Sequence, residues 1–370
     1  MRDIKAHTGL RGIAAIAVFF GHAQFDLLWR GAFWFSGLYS FFYWQNAAVD
    51  LFFMLSGFIL NYVYLKNRRT DWRTYLTARF ARICPLYYAG LVAVLAMNFV
   101  SAHLGHAPSG DFKPSILIPN FAMTQEWPAP RAVPSINFPS WSISVEVFLY
   151  LAAFPLFAFL FARRPVHRGL CFALLLASIA VDAVFSGRMT GPHPFQYSGL
   201  VRGVSGFAAG FLLCELLYGR EEPLVPGGVE ITFGILALLI LPFNSLHFLL
   251  PIAFALLIAF TYSPASRLAV ILGSPLFAFL GAISYSVYIW HFPVIKACTL
   301  LFGLRRMGDF SSNINISAAR KLLYCGGTFL MLIAVSSISY YWYETPVRRL
   351  LRRPVRERLG VEPLPASAKS

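Results

Sequence analysis

Long apolar runs separated by short polar stretches dominate the chain, as in GIAAIAVFF after Arg11, LFFMLSGFIL after Asp50 and LVAVLAM after Gly90. A helix crossing a bilayer needs about 20 mostly apolar residues, and about ten such segments can be placed. They centre near 8–29, 47–65, 81–102, 142–161, 169–186, 198–218, 228–243, 246–262, 276–302 and 322–343. Pro242, Asn244 and Pro251 interrupt an almost continuous apolar stretch, so the seventh and eighth can also be read as one bent helix. The longest connection, about 101 to 141, carries Pro108, Pro114, Pro119, Pro128, Pro130, Pro134 and Pro139. Turns and a short interfacial piece are expected there.

Composition excludes a water-soluble domain: 58% of the 370 residues are hydrophobic and only 13% charged, with a mean hydropathy of +0.62. The fold class expected is all-α, a polytopic integral membrane protein with about ten transmembrane helices. The net charge of +15 has a topological reading, because cations collect in cytoplasmic loops. With both termini cytoplasmic, roughly 21 of the 31 Lys and Arg fall inside. They include Arg2, Lys5, the run Lys66 to Arg82 with Arg68 and Arg69, Arg163, Arg164 and the cations from Arg348 to Lys369. Arg305, Arg306, Arg320 and Lys321 fall outside and are outnumbered. Nucleic-acid binding is therefore not expected. The first apolar run lacks a small-residue cleavage site and reads as a retained helix. Residues 1–350 are expected to form one transmembrane domain and 351–370 a basic cytoplasmic tail that frays at its end. The five cysteines stand singly, without CxxC spacing, so no disulfide framework and no metal site are expected.

Ionisable side chains inside spanning helices are costly and become functional candidates by default. Arg11 and His22 are eleven residues apart, which returns a helix to within about 20° of the same face while rising about 16 Å. Both can face one cavity at different depths. Arg79 and Arg82, three apart, share a face at the depth of Arg11, so three arginines can surround an anionic group, although inner helix ends carry cations for topological reasons too. Asp50, Glu146 and His291 fall at the depth of His22 in the outer half. A carboxylate beside a histidine fixes its tautomer and raises its basicity, which makes Glu146 the candidate orienter for His22. Asp50 reads equally as a helix N-terminal cap and His291 as a supporting or structural group. Glu344, beside Arg348, reads as a structural ion pair. The chain lacks GxxxxGK[ST], HExxH and GxSxG, so ATP hydrolysis, zinc proteolysis and serine-elbow chemistry lose support.

At these residues the sequence resembles the membrane acyltransferase family 3, bacterial ten-helix proteins that O-acylate surface polysaccharides, lipopolysaccharide, exopolysaccharides and nodulation factors. TGLRGIAAIAVFFGHA (Thr8 to Ala23) is similar to its Arg-x10-His signature, AVDLFFMLSGFIL (Ala48 to Leu60) to its second-helix block and ARFARICPLYY to its Arg-x-x-Arg block. SWSISVEVFLY (Ser140 to Tyr150), GAISYSVYIWHFPV (Gly281 to Val294) and YYWYETPVRRL continue the likeness in family order. The resemblance implies transfer of an acyl group, most simply acetyl, from cytoplasmic acyl-coenzyme A to a sugar hydroxyl, in the bacterial inner membrane. It implies Arg11, Arg79 and Arg82 on the coenzyme's phosphates. His22 becomes general base or transient acyl acceptor, with Glu146 stabilising its imidazolium and Asp50 and His291 as possible supports. The expected partners are the bilayer, a carbohydrate or lipid-linked glycan acceptor and polysaccharide-assembly proteins. In the family an acid often precedes the Gly-Leu-Arg run, where Thr8 stands here. No residues remain for the SGNH hydrolase-like domain that some members append, so transfer is expected to be completed by this domain or by a separate partner.

A proton-coupled transporter or flippase of a carbohydrate precursor or anion would use the same buried groups, although no repeated broken-helix pattern supports it. A non-catalytic scaffold would leave Arg11, His22 and Glu146 without a task.

Overall fold

The computed structural model describes residues 4–23, 45–66, 71–103, 113–127, 133–162, 167–186, 198–225, 228–240, 243–302 and 318–358. All regular structure among them is helical, the solution open to a backbone whose polar groups must be satisfied in hydrocarbon without water. In chain order the elements are α1 (Lys5–His22), α2 (Gln45–Leu60, running on as a π turn, Asn61–Lys66), α3 (Trp72–His103) and a short α4 (Pro114–Ala122). Next come α5 (Trp141–Phe148, a π turn Leu149–Ala153, then Phe154–Ala162), α6 (Arg168–Ser186) and α7 (Ser198–Leu217). The chain continues through α8 (Val229–Ile240), α9 (Leu250–Phe260), α10 (Arg267–Leu272) and α11 (Pro275–Leu301). It ends in α12 (Ala318–Ile338, a π turn Ser339–Glu344, then Thr345–Arg358).

Each apolar segment read from the sequence coincides with a helix over its described residues. Among the described residues seven helices are long and apolar enough to cross a membrane, whereas α8 and α9 are shorter and stand as two separate helices, with a 3-10 turn leading into α9. The chain is a multi-pass membrane protein. Two boundaries move. Helix α3 starts at Trp72, nine residues before the apolar run, because Asp71 caps it: the Thr74 backbone N–H donates to Asp71 Oδ1 at 3.0 Å. A hydrogen bond from the Thr74 hydroxyl to Asp71 Oδ2, together with that backbone one, holds the exposed Asp71 carboxyl below its ordinary range. Helix α12 runs to Arg358, past the domain end expected at 350, and residues 359–370 lie outside the described set. So do Arg2, Arg68, Arg69, Arg163, Arg164, Arg305 and Arg306.

Helix α1 lies in the middle, packed against α11 and α2, while α7 is clasped between α2 and α6. Small residues set these approaches, as in membrane helix pairs generally. A Cβ on Gly12 would stand 2.6 Å from the Gly281 nitrogen, and one on Gly210 1.8 Å from the Met54 carbonyl. In α11, Pro293 has no N–H for the carbonyl four residues back. That carbonyl, Ile289 O, instead accepts from Asn137 Nδ2 at 3.1 Å, which ties the segment before α5 to α11 close to His291. The long connection is structured as expected: Asn120 at the end of α4 donates to Pro134 O (2.9 Å) and accepts from the Ile136 N–H (3.0 Å).

Candidate active site

Helices α1, α2, α3, α5 and α11 surround a slot with about 730 Å³ between its walls and mouth. At one end Arg11 enters from α1 and Arg79 and Arg82 from α3. The Arg79 Nη2 donates to the Tyr64 hydroxyl at 3.2 Å, and its guanidinium lies 5.4 Å from the Tyr64 ring centre and 5.8 Å from that of Tyr150. Its Nε is buried without a hydrogen-bond partner. Among the described residues none of the three arginines has a carboxylate within ion-pair distance. Aromatic faces hold the charge in place without neutralising it, and the open donors suit a bidentate oxyanion.

The aromatic partners were not foreseen from the sequence. Tyr64 and Tyr150 both come from π turns, in α2 and α5, and the third π turn, in α12, presents Glu344. A π turn inserts an extra residue and re-aims the side chains that follow, and such turns cluster at functional sites. Glu344 Oε2 accepts from Ser286 Oγ at 2.8 Å and its Oε1 lies 3.9 Å from Arg348 Nη1, the ion pair expected of it.

Glu146 lines the same slot, and its Oε1 accepts a hydrogen bond from the Tyr150 hydroxyl. The two are four residues apart on α5, a spacing at which helical side chains meet, so this contact was open to a reading of the sequence. The contact expected between Glu146 and His22 is not formed. His22 instead stacks on His291, ring centres 5.1 Å apart, with its Nδ1 3.2 Å from His291 Nε2. The reason is depth. Glu146 faces the arginine side of the slot, whereas His22 closes the last turn of α1 and meets α11 one turn beyond Tyr288, which lines the slot. Tyr288 is fixed there by its hydroxyl, which lies 2.6 Å from Ser142 Oγ and donates to Pro139 O at 2.9 Å.

The backbone around the histidine pair sets its tautomers. His291 Nδ1 lies 2.7 Å from Tyr288 O, and His22 Nδ1 lies 3.0 Å from Val18 O. A carbonyl only accepts, so in each ring Nδ1 carries the hydrogen. In the neutral pair His291 Nε2 accepts from His22 Nδ1–H, and His22 Nε2 keeps its lone pair. A ring in this state takes a proton at Nε2, and the imidazolium so formed still donates from Nδ1 to His291.

Asp50 belongs elsewhere. It is fully buried and paired with an equally buried Arg202 of α7, Oδ1 to Nη2 at 2.6 Å, so it neither caps α2 at a surface nor lines the slot. Arg202 also lies 5.7 Å from the Trp141 ring centre. Asp182 of α6, also buried, points at the same place: its Oδ2 and the Asp50 carbonyl both border Gly206. Nothing in the residues near Arg202 distinguishes this arginine from a topological cation.

Comparison with known proteins follows the geometry. The family model described as an acyltransferase domain matches residues 4–340. The chain is 27% identical to an acyltransferase, MdmB, of Streptomyces mycarofaciens over 94% of its own length and 93% of that protein. It is 25% identical to the peptidoglycan O-acetyltransferase OatA of Listeria monocytogenes, over 92% of this chain but only 55% of the relative. It is 29% identical to the exopolysaccharide production protein ExoZ of Rhizobium meliloti, over 70% of this chain and 80% of that one. No solved structure matches. The chain belongs to the acyltransferase family and is an acyltransferase, which sets aside the transporter and scaffold readings.

Proposed function

We propose that this membrane acyltransferase moves an acyl group, most simply acetyl, from acyl-coenzyme A in the cytoplasm to a hydroxyl of a cell-surface or exported carbohydrate. The observation that carries the reading is one cavity lined by three arginines that have no carboxylate at ion-pair distance among the described residues, and by Tyr288, with the His22–His291 pair one turn of α11 beyond that tyrosine. Arg11, Arg79 and Arg82 bind the coenzyme's phosphates. The pantetheine arm follows the slot toward His22, which stands about 16 Å along α1 from Arg11. The carbohydrate acceptor is supported by relatives named for peptidoglycan O-acetylation and exopolysaccharide production. The cation distribution supports ten crossings with both termini cytoplasmic in a bacterial inner membrane. Polysaccharide-assembly proteins are the partners such a task calls for.

The acceptor O–H attacks the thioester carbonyl, a C–O bond forms, and the C–S bond breaks. His22 Nε2 takes the hydroxyl proton and returns it to the departing thiolate. The positive charge that His22 carries in between is relieved by His291 through Nδ1–H, the task expected of Glu146. Glu146, held by Tyr150, instead acts on the arginine side of the slot, where it sets the orientation of the donor. Direct transfer requires no acyl-enzyme.

Mass spectrometry of envelope and secreted glycans tests this in cells with the intact protein, without it, and with His22→Ala at equal expression. An acyl mass increment that disappears on deletion and with His22→Ala is expected, the loss of a general base being worth about 10²–10⁴ in rate. An increment that persists in His22→Ala would remove the histidine from the chemistry. Unchanged glycans on deletion would move the acceptor to another class of molecule.

A further inference from the structure

A second hollow adjoins the arginine end. Tyr64, Trp72, Tyr75, Phe154 and Pro155 line most of it, and among the described residues no charged side chain does. It has about 500 Å³ between its walls and mouth. Its walls are flat rings held by one another: Tyr75 stacks on Trp72 (centres 4.9 Å apart, planes at 29°) and on Phe154 (4.8 Å, 29°), and Tyr64 meets Tyr75 edge-on at 5.0 Å. Trp72, the first residue of α3, remains 43% exposed.

The hollow lies beside the slot, and residues of the two walls touch. Tyr64 is a wall of the hollow and also the acceptor for Arg79 Nη2. The Tyr75 hydroxyl donates to Tyr150 O at 3.2 Å, and Tyr150 lines the slot. A planar aromatic hollow next to a half-buried arginine that has no carboxylate at ion-pair distance among the described residues suits a ligand that carries a flat heteroaromatic ring and phosphate on one molecule. A lipid tail meets the hollow alone and leaves the arginine unanswered. We propose that this hollow is the nucleobase subsite for the donor, in which the adenine ring of acyl-coenzyme A stacks against Trp72 while its phosphates lie on Arg79 and its neighbours. The assignment rests on the reading of the slot as the acyl-coenzyme A site.

Base stacking on an aromatic side chain typically contributes about tenfold or more in affinity. The test compares two donors on the full-length protein in nanodiscs: acetyl-coenzyme A and S-acetyl-4′-phosphopantetheine, which lacks the nucleotide. Trp72→Ala is expected to raise KM for acetyl-coenzyme A about tenfold at unchanged kcat, to leave KM for the truncated donor at the unmutated protein's value, and to be largely rescued by Trp72→Phe. A rise shared equally by both donors would make Trp72 a structural residue and overturn the assignment. No change for either donor, with activity now depending on the acyl-chain length of the nanodisc lipid, would give the hollow to a lipid tail instead. If the unmutated protein turned over neither donor, the donor reading itself would fail and the subsite with it, an outcome separable from the others because it precedes any substitution.

Discussion

Two arginines inside the helix bundle, the half-buried Arg79 and the fully buried Arg202, show how differently the same side chain is used. Arg202 is matched by Asp50 at 2.6 Å, both fully buried, so its charge is answered inside the protein. Arg79 is surrounded by tyrosine rings, lacks any carboxylate at ion-pair distance among the described residues, and keeps an open donor on the slot. A paired charge in the interior holds helices in register, whereas a charge boxed by aromatic faces stays available to an anion from outside. The first arrangement makes removal of one partner costly for folding. The second makes it costly for binding.

Three measurements separate these roles, in order of expected effect. Asp50→Ala removes the carboxylate in direct contact with Arg202 and leaves only the more distant Asp182 to answer it, and loss of one partner of a buried pair typically costs ~3–5 kcal/mol. A large fall in thermal unfolding temperature and in yield from membranes is expected, with recovery when Arg202 is also replaced by Met. Unaltered stability in Asp50→Ala would erase the distinction. Arg79→Ala should leave the unfolding temperature close to that of the unmutated protein while raising KM for acetyl-coenzyme A about tenfold to a hundredfold, the weight of one charge-assisted hydrogen bond. A collapse in stability there would place Arg79 with Arg202 as a structural cation.

The smallest effect concerns Glu126, in the connection before α5, where it flanks Trp141, the ring that stacks on Arg202. Burial pushes its carboxyl up to about 7, from an ordinary value of 4.5. Between those values the unfolded chain has lost a proton that the folded protein still holds, so stability falls as pH rises through this window and levels off above it. Glu126→Gln should flatten that slope in unfolding measurements taken from pH 5 to pH 8. An identical slope in both proteins would locate the titrating group elsewhere.

Much of the site was legible in the chain, and the limits follow from geometry. The pair Arg79 and Arg82, three apart, and Arg11 with His22, eleven apart, are fixed by the helical repeat, and the structure places the three arginines on one cavity. Glu146 and Tyr150 obey the same rule. Pairings between helices obey no such rule. Residue spacing gave Glu146 and His22 similar depths, but Glu146 lies on the face of its helix that meets Tyr150 and the slot, and His291 is the neighbour of His22. Tyr64 and Trp72 carried no signal at all, since each sits in an apolar or interfacial run where an aromatic residue is commonplace.

The sequence by itself determined what depends on local repeat and solvent: that the chain must be helical, that it belongs in a bilayer, where most helices begin and end, and which cations share a face. Those follow from run length, from the 3.6-residue period and from the cost of bare backbone groups in hydrocarbon. Only the tertiary structure decided which buried charge is paired and which is open, because that depends on how closely glycine-lined helices approach and on where a π turn shifts the register by one residue. Asp50 and Glu146 are both acids within apolar helices. One ended against an arginine and the other on the slot because of the helix each one faces.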